Sequence, residues 1–379
     1  MADAVTWELL RDLAGLRARR GRAVSIYVNL DPSAAPTAGD VATRVRSVVT
    51  QGERRLEAER NGLSHDQRLA LKSDLERVAT WLDDEFDRDG ARGVAVFCSS
   101  LDDLWRAYAL PEAVEDAIEV DEELYLAPLV RLVGEEPVVV AFVGRERGQV
   151  YRLRGRSLVE IANETEDVPN KHQQGGWSQA RYERHVEEVV ARHLRQVAET
   201  LDRCVRRLRH AVIVLVSTEE TRAELEALLP SEAKSAIVGC AQAEAHAGPA
   251  ELLAAVEPLL EERRVARERE ELARWRELAA KGERATAGWQ DTLAAASDGR
   301  VDALLIQVGV DRPAHRCPTC GRAEAQGGTC PLDGTPMVEE PHGLDLVVHQ
   351  ALAHGGSVVV IQSEPDLEPV EGIGAVLRF

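Results

Sequence analysis

Two stretches of the chain hold residues whose types and spacing can do chemistry. The first reads Asn170-Lys171-His172-Gln173-Gln174-Gly175-Gly176-Trp177-Ser178-Gln179-Ala180-Arg181. Adjacent glycines allow positive φ and let a backbone approach a ligand closely. The amides of Gln173, Gln174 and Gln179 donate and accept hydrogen bonds without titrating. Arg181 and Arg184 follow at once, with Arg192 and Arg195 one to three turns further on. Such a stretch can set an amide beside a reacting carbonyl while cations hold a phosphate backbone. The same residues also describe a plain surface loop with Ser178 as a helix cap, so their surroundings must decide.

The second stretch pairs Cys317-Pro-Thr-Cys320-Gly with Cys330-Pro-Leu-Asp333-Gly. Two thiolates separated by two residues meet one tetrahedral Zn²⁺ ion, which also accepts oxygen and imidazole donors. The second half repeats the frame with aspartate in the fourth position. Asp333, His315 or His342 can complete a site with Cys317, Cys320 and Cys330. Four protein donors leave no open position, so the expected zinc is structural. A ribbon that keeps its shape without metal is the alternative. The other cysteines, Cys98, Cys204 and Cys240, lie in apolar patterns and read as core thiols. Six cysteines in 379 residues are too few for a disulfide framework.

The elements that must position these groups follow from hydrophobic periodicity. A helix is expected from about 178 to 209, with Tyr182, Val186, Val189, Leu194, Val197, Leu201, Val205 and Leu208 forming one buried stripe. Before it lie three strands, 138–143, 149–153 and 157–162, the first two joined by a hairpin. After it come a buried strand at 211–216 and a helix at 219–229. Towards the N-terminus, strands at 23–30, 93–98 and 104–110 alternate with a helical region from 40 to 86, broken near Asn61-Gly62. Residues 112–136 hold nine carboxylates against Arg131 and suggest an acidic boundary. The C-terminal part reads helix 287–296, strand 301–310, cysteine insert, helix 344–353, and strands 357–361 and 375–379, after a charged linker helix at 261–276. The expected class is α/β in three domains: 1–132, 133–272 carrying the loop, and 273–379 carrying an insert at 315–342.

Charge refines this division. The chain carries 46 basic and 65 acidic residues, a formal −19, which taken whole argues against a general binder of nucleic acid. Between Arg145 and Arg209, however, fourteen basic residues face ten carboxylates, so this segment is +4 while the remainder is −23. Local positive charge in an acidic chain points to a nucleic-acid contact confined to one domain. The alternative is a solvated face on which arginines pair with Glu183, Glu187 and Glu188. No apolar run approaches the ~18 residues of a membrane span, and the N-terminus lacks the pattern of a signal peptide. A cytoplasmic protein with no membrane partner is expected. Other chemistries fail on context. The strand 138–143 offers no aspartate for a metal-dependent nuclease, His185-Val-Glu-Glu lacks a second histidine, and the loop lacks the closing glycine of a nucleophile elbow.

Set before a basic helix, Gly175-Gly176-Trp177-Ser178-Gln179 resembles the glycine–glutamine loop of the archaeo-eukaryotic class-I peptide release factor superfamily. It is similar to the bacterial branch of that family and to eukaryotic quality-control peptidyl-tRNA hydrolases with a Gly-x-x-Gln pattern, which falls here on Gly176 and Gln179. The strand Gly299–Ile306 and the ending Gly372–Phe379 resemble the family's C-terminal domain, and the likeness covers roughly 135–379. It implies a ribonuclease-H-like middle domain and an α/β/α C-terminal sandwich, in which some relatives carry a small zinc insert. It also implies hydrolysis of the peptidyl-tRNA ester in the peptidyl-transferase centre of the ribosome's large subunit. Gln179 would position the water, Gly175 and Gly176 would let the loop thread a narrow site, and Lys171, Arg181, Arg184, Arg192 and Arg195 would hold RNA. A translational GTPase is a further partner that the resemblance suggests. The Trp-Ser pair between glycine and glutamine departs from the compact Gly-Gly-Gln, and the N-terminal part shows no stop-codon-reading motif. A catalytically silent A-site occupant that protects idle ribosomes, or an adaptor outside translation, are the other readings.

Overall fold

A computed structural model describes residues 5–58, 62–88, 90–133, 137–165, 177–208, 211–363 and 367–379, with backbone alone for 177–186. Its contacts divide the chain into two compact units, residues 134–264 and residues 1–133 with 265–379.

The N-terminal segment contains α1 (Trp7–Ala14), β1 (Ala23–Asn29), α2 (Ala38–Ala58), α3 (His65–Asp84), β2 (Gly93–Ser99), β3 (Leu104–Leu110), β4 (Ala117–Asp121) and α4 (Ala127–Val130). Its antiparallel sheet runs β3-β2-β1-β4. Alternate residues of β1 face opposite ways. Val24, Ile26 and Val28 meet α2 and α3, whereas Ala23 and Tyr27 face the other side. Ser64 and Gln67 form a capping box that starts α3. β4 lies inside the acidic stretch 112–136, which also contains the break between the two compact units at 133/134. Ile118 is buried, and the flanking, half-buried carboxylates Glu119 and Asp121 pair with arginines.

The middle unit contains β5 (Val138–Val143), β6 (Gly148–Arg154), β7 (Ser157–Asn163), α5 (Trp177–Arg207), β8 (Val212–Val216), α6 (Glu219–Leu228), α7 (Ser231–Ser235), β9 (Ile237–Ala241) and the start of α8 (Pro249–Ala280). The strand order is β7-β6-β5-β8-β9. β7, β6 and β5 are antiparallel, whereas β5, β8 and β9 are parallel. This is the mixed sheet of a ribonuclease-H-like domain. The parallel pairs need helical crossovers, which α5 and the α6–α7 pair supply. α5 packs on one face through Val190, Leu194, Val197, Leu201 and Val205, and the first half of α8 covers the other through Leu252 and Val256.

The C-terminal segment holds the rest of α8, β10 (Ala285–Ala287), α9 (Trp289–Ser297), β11 (Val301–Gln307), β12 (Ala314–Arg316), β13 (Ala323–Glu324), β14 (Val338–Glu340), α10 (Gly343–Ala353), β15 (Ser357–Ile361) and β16 (Ile373–Leu377). Its main sheet, β10-β16-β11-β15, lies between α9 and α10 on one face and Leu272 and Trp275 of α8 on the other, an α/β/α sandwich. A small sheet, β13-β12-β14, carries the cysteine insert.

The N- and C-terminal segments share one core. Tyr27 and Phe97 belong to the same apolar cluster as Trp289, Leu346 and Val347. Polar links surround it. Half-buried Asp345 accepts the backbone N–H groups of Leu126 and Ala127 at 2.7 and 2.9 Å. Arg316 reaches Asp121 at 2.8 Å, Glu123 at 3.3 Å and Glu340 at 2.9 Å. His342 lies between Asp311 and Glu119, at 2.9 and 3.2 Å, with its ring 4.7 Å from that of Tyr125. Hydrogen bonds to Asp311 and Glu119 outweigh burial and push the His342 imidazole up to about 10. Its folded pKa exceeds the ordinary 6.5. Its stabilising contribution is therefore complete below that value and is lost as pH rises towards 10. We expect the unfolding free energy of the wild type to fall more steeply across that window than that of His342→Gln. Identical slopes in urea titrations at stepped pH would contradict this.

Candidate functional site

The glycine–glutamine stretch enters the middle unit through α5. Lys171, Gly175 and Gly176 lie outside the described residues. Gln179, Arg181 and Arg184 occupy the first turns of the helix, where the backbone is described and the side chains are not. From Trp177 to Leu208 the sequence contains neither glycine nor proline, which favours an unbroken helix. Its 31 residues span about 46 Å at 1.5 Å per residue. Arg192 and Arg195 sit one turn apart on its exposed side, with Arg195 Nε bonded to the Ala191 carbonyl at 3.1 Å.

A histidine not singled out by the sequence fixes the strand from which this loop departs. His193 is fully buried on the sheet side of α5. Its Nδ1 lies 2.8 Å from the Glu164 carbonyl and its Nε2 3.2 Å from that of Arg147. Thr200, two turns on, donates to the Glu164 carboxylate at 2.9 Å. Gly148 N bonds Thr165 Oγ1, and Glu164 N bonds the Gly148 carbonyl at 2.6 Å. The last described residues before the loop, Glu164 and Thr165, are thus tied to β6 and α5. Gly148 permits this approach, because a Cβ there would meet His193 Cε1 at 2.6 Å and Val197 Cγ2 at 2.7 Å. Read as a hairpin residue, Gly148 shows this role only once α5 is laid on the sheet.

Much of the local arginine excess has structural partners. Arg147 donates to the Ala245 and Ala247 carbonyls at 2.5 and 3.1 Å and lies over the Phe142 ring. Arg156 pairs with Glu257, Arg203 with Glu164 and Arg206 with Asp202. Arg152, Arg154 and Arg207 have no carboxylate partner among the described residues.

In the insert, the donor atoms of Cys317, Cys320, Cys330 and Asp333 all lie within 4.8 Å of one another. Among the described residues this is the one such group. The two halves repeat one backbone design. Cys317 N bonds the Arg322 carbonyl and Cys330 N that of Thr335, both at 2.8 Å. Gly321 N and Gly334 N bond back to the two cysteine carbonyls at 2.9 Å. Both glycines have positive φ, +77 and +73°, which closes each turn around its donors. The Cys320 and Cys330 sulfurs are 3.5 Å apart, and Cys317 Sγ is 3.4 Å from an Asp333 oxygen. Two thiolates ~2.3 Å from a tetrahedral ion lie about 3.8 Å apart, so these spacings suit one ion. Asp333 supplies the fourth donor atom of this group. His342 is engaged by Glu119 and Asp311, and His315 is outside the group.

The electrostatics of the cluster also favour a cation. The Thr335 N–H and hydroxyl hold the Asp333 carboxyl down to about 2, keeping it ionised. The Arg322 N–H lowers the Cys320 pKa, but desolvation and the sulfurs of Cys317 and Cys330 outweigh it and push the thiol up to about 11. A divalent ion would relieve this crowding by binding the deprotonated donors.

These contacts can be tested at both places. Gly148→Ala is expected to cost about 1–3 kcal/mol by overpacking His193 and Val197, and an unchanged urea midpoint would contradict it. Elemental analysis is expected to find one bound divalent ion per chain, retained on gel filtration and lost in Cys320→Ser. Substoichiometric metal in a wild type purified with zinc would show that the knuckle holds its shape unaided.

Residues 125–261 match the model of the Bacterial archaeo-eukaryotic release factor family 10. Peptide chain release factor subunit 1 of Archaeoglobus fulgidus is 24% identical over 415 residues, covering 100% of this chain and 98% of that protein. The protein of the same name from Methanopyrus kandleri is 26% identical over 221 residues, covering 56% of this chain and 54% of its own. Among solved structures, the archaeal translation termination factor aRF1 covers 99% of each chain at 17% identity and a TM-score of 0.28. The S. cerevisiae Dom34 structure covers 76% of this chain and 79% of its own, at 10% identity and a TM-score of 0.41.

Proposed function

We propose, from the place of residues 125–261 in the bacterial branch of the archaeo-eukaryotic release factor superfamily, that this protein acts on ribosomes in peptide release or rescue. In this reading it is a peptidyl-tRNA hydrolase that frees nascent chains from stalled ribosomes or split large subunits. The observation that carries it is Gly176-x-x-Gln179 running directly into α5, in a long segment of an acidic chain that has a local basic excess.

The chemistry asks little of the side chains beyond position. An ester carbonyl attacked by water develops negative charge on oxygen, and preorganised donors stabilise it without acting as bases. Gln179 lies in the first turn of α5, where backbone N–H groups have no acceptor within the helix and the helix dipole is positive. Its amide would orient the attacking water and donate to the developing oxyanion, so the rate gain comes from alignment. Gly175 and Gly176 would let the chain pass close to the tRNA end. Lys171, Arg181, Arg184, Arg192 and Arg195 would hold phosphates and set the register. The clasp at His193 would restrain one root of the loop, and α5 would restrain the other.

The four-donor group Cys317, Cys320, Cys330 and Asp333 would hold a structural Zn²⁺. Its chemistry is to fix the insert, and all four positions are taken by protein donors. The partners are peptidyl-tRNA and the ribosome's large subunit, with a translational GTPase as the delivering factor.

Incubation with stalled ribosome–nascent-chain complexes tests the reading. The wild type should release peptide, and Gln179→Ala should lower the single-turnover rate by about 10²-fold or more while ribosome co-sedimentation persists. Equal background release by both proteins would remove the hydrolase and leave the silent A-site occupant. Absence of co-sedimentation at low salt would remove both.

A further inference from the structure

We propose that Arg152, Arg154 and Arg207 form a phosphate-binding site for an RNA backbone at the end of α5 remote from the glycine–glutamine loop. Pairing of β6 with β5 and β7 puts Arg152 opposite Val139 and Arg154 opposite Ser157. Residues two apart on a strand share a face, and this face is the one covered by α5, since Val139 and Val150 belong to the same core cluster as Val205 of α5. Arg207 comes from the last turn of α5, two residues beyond Val205. Two arginines from the sheet and one from the helix therefore converge on one corner of the middle unit.

Among the described residues of the unit, no carboxylate pairs with them. Their neighbours Arg156, Arg203 and Arg206 all pair with carboxylates, whereas these three do not among the described residues. Arg152 Nε is buried and has no hydrogen-bond acceptor. Burial, then repulsion from Arg154 and Arg207, lowers the Arg152 pKa. Cations at a helix C-terminus offset its dipole, which accounts for Arg207 but not for two arginines held by the sheet with a buried donor unused. A ligand bearing closely spaced, localised negative charge satisfies all three. Guanidinium groups match phosphate oxygens bidentately. An RNA backbone presents such charges at regular spacing, and its contacts carry no sequence requirement.

The two ends of α5 then have different tasks. Arg207 follows Gln179 by 28 residues, or about 42 Å along the helix axis. An RNA strand held at the arginine corner would fix the far end of a rigid rod whose near end carries Gln179. The site goes beyond the hydrolase reading and does not require ester hydrolysis.

The test uses the full-length protein and a fluorescein-labelled RNA hairpin, with affinity measured across a salt series. Arg154→Gln/Arg207→Gln is expected to weaken binding roughly tenfold or more and to reduce the slope of log K against log salt by about 1.5–2. Arg206→Gln, which removes an arginine already paired with Asp202, should match the wild type, and thermal melts should confirm that all variants fold. Wild-type affinity and slope in the double variant would overturn the site. Displacement of the hairpin by poly-glutamate at equal charge concentration would overturn the RNA assignment in favour of an acidic protein partner. Loss of hairpin binding in the double variant, in a protein that releases no peptide, would uphold the site while removing the hydrolase.

Discussion

The placement of Gln179 depends on how α5 is held to its sheet. A 31-residue helix standing alone would be a mobile rod, because most helix stability in a protein comes from packing an amphipathic face. Here Val190, Leu194, Val197, Leu201 and Val205 bury that face against Val139, Val150 and Ile213. Full burial of each such side chain is worth about 1.5–3 kcal/mol, so the stripe outweighs any single polar contact in the unit. His193 adds direction to this attachment. It places ring nitrogens against the Glu164 and Arg147 carbonyls, and Gly148 leaves it the room. The start of the loop and the helix after it are thereby referenced to one sheet.

The other unit solves a different problem, the joining of chain segments far apart in sequence. Its two main sheets share an apolar core, and its polar links converge on β4, α10 and the base of the insert. Arg316 directly precedes Cys317 and reaches three carboxylates, two of them from the N-terminal segment. Breaking such a partly buried network by removing one partner leaves uncompensated charge, so local order at the knuckle bears on the whole joint. A structural ion at Cys317, Cys320, Cys330 and Asp333 would therefore stabilise more than the insert itself.

Most elements were legible from periodicity, and the exceptions have physical causes. The stripe from Val189 to Val205 is long enough to specify α5, and the apolar runs of β1, β5 and β8 specify buried strands. β4 was hidden because its carboxylates resemble those of a linker. Only the partners Arg55, Arg316 and His342, distant in sequence, make them interior to a joint. β9 is five residues long and interrupted by Gly239, too short for a clear pattern. α8 runs through Pro258 and extends well beyond the charged segment 261–276. Its ends are set by packing on two sheets in turn. At the sites, spacing alone identified the cysteine pairs but left the fourth donor open, because only the fold shows His342 engaged elsewhere. His193 and Gly148 act through one close approach between a helix and a strand, which no local pattern announces.

In the proposed function, α5 delivers Gln179 to the ester of peptidyl-tRNA. The most direct measurement is an electron cryomicroscopy map of the wild-type protein on a stalled ribosome, captured with a non-hydrolysable peptidyl-tRNA amide. The expected map has the middle unit in the ribosomal A site, with the Gln179 side chain within hydrogen-bond reach of the amide that replaces the ester. A map in which the middle unit lies outside the peptidyl-transferase centre would contradict it.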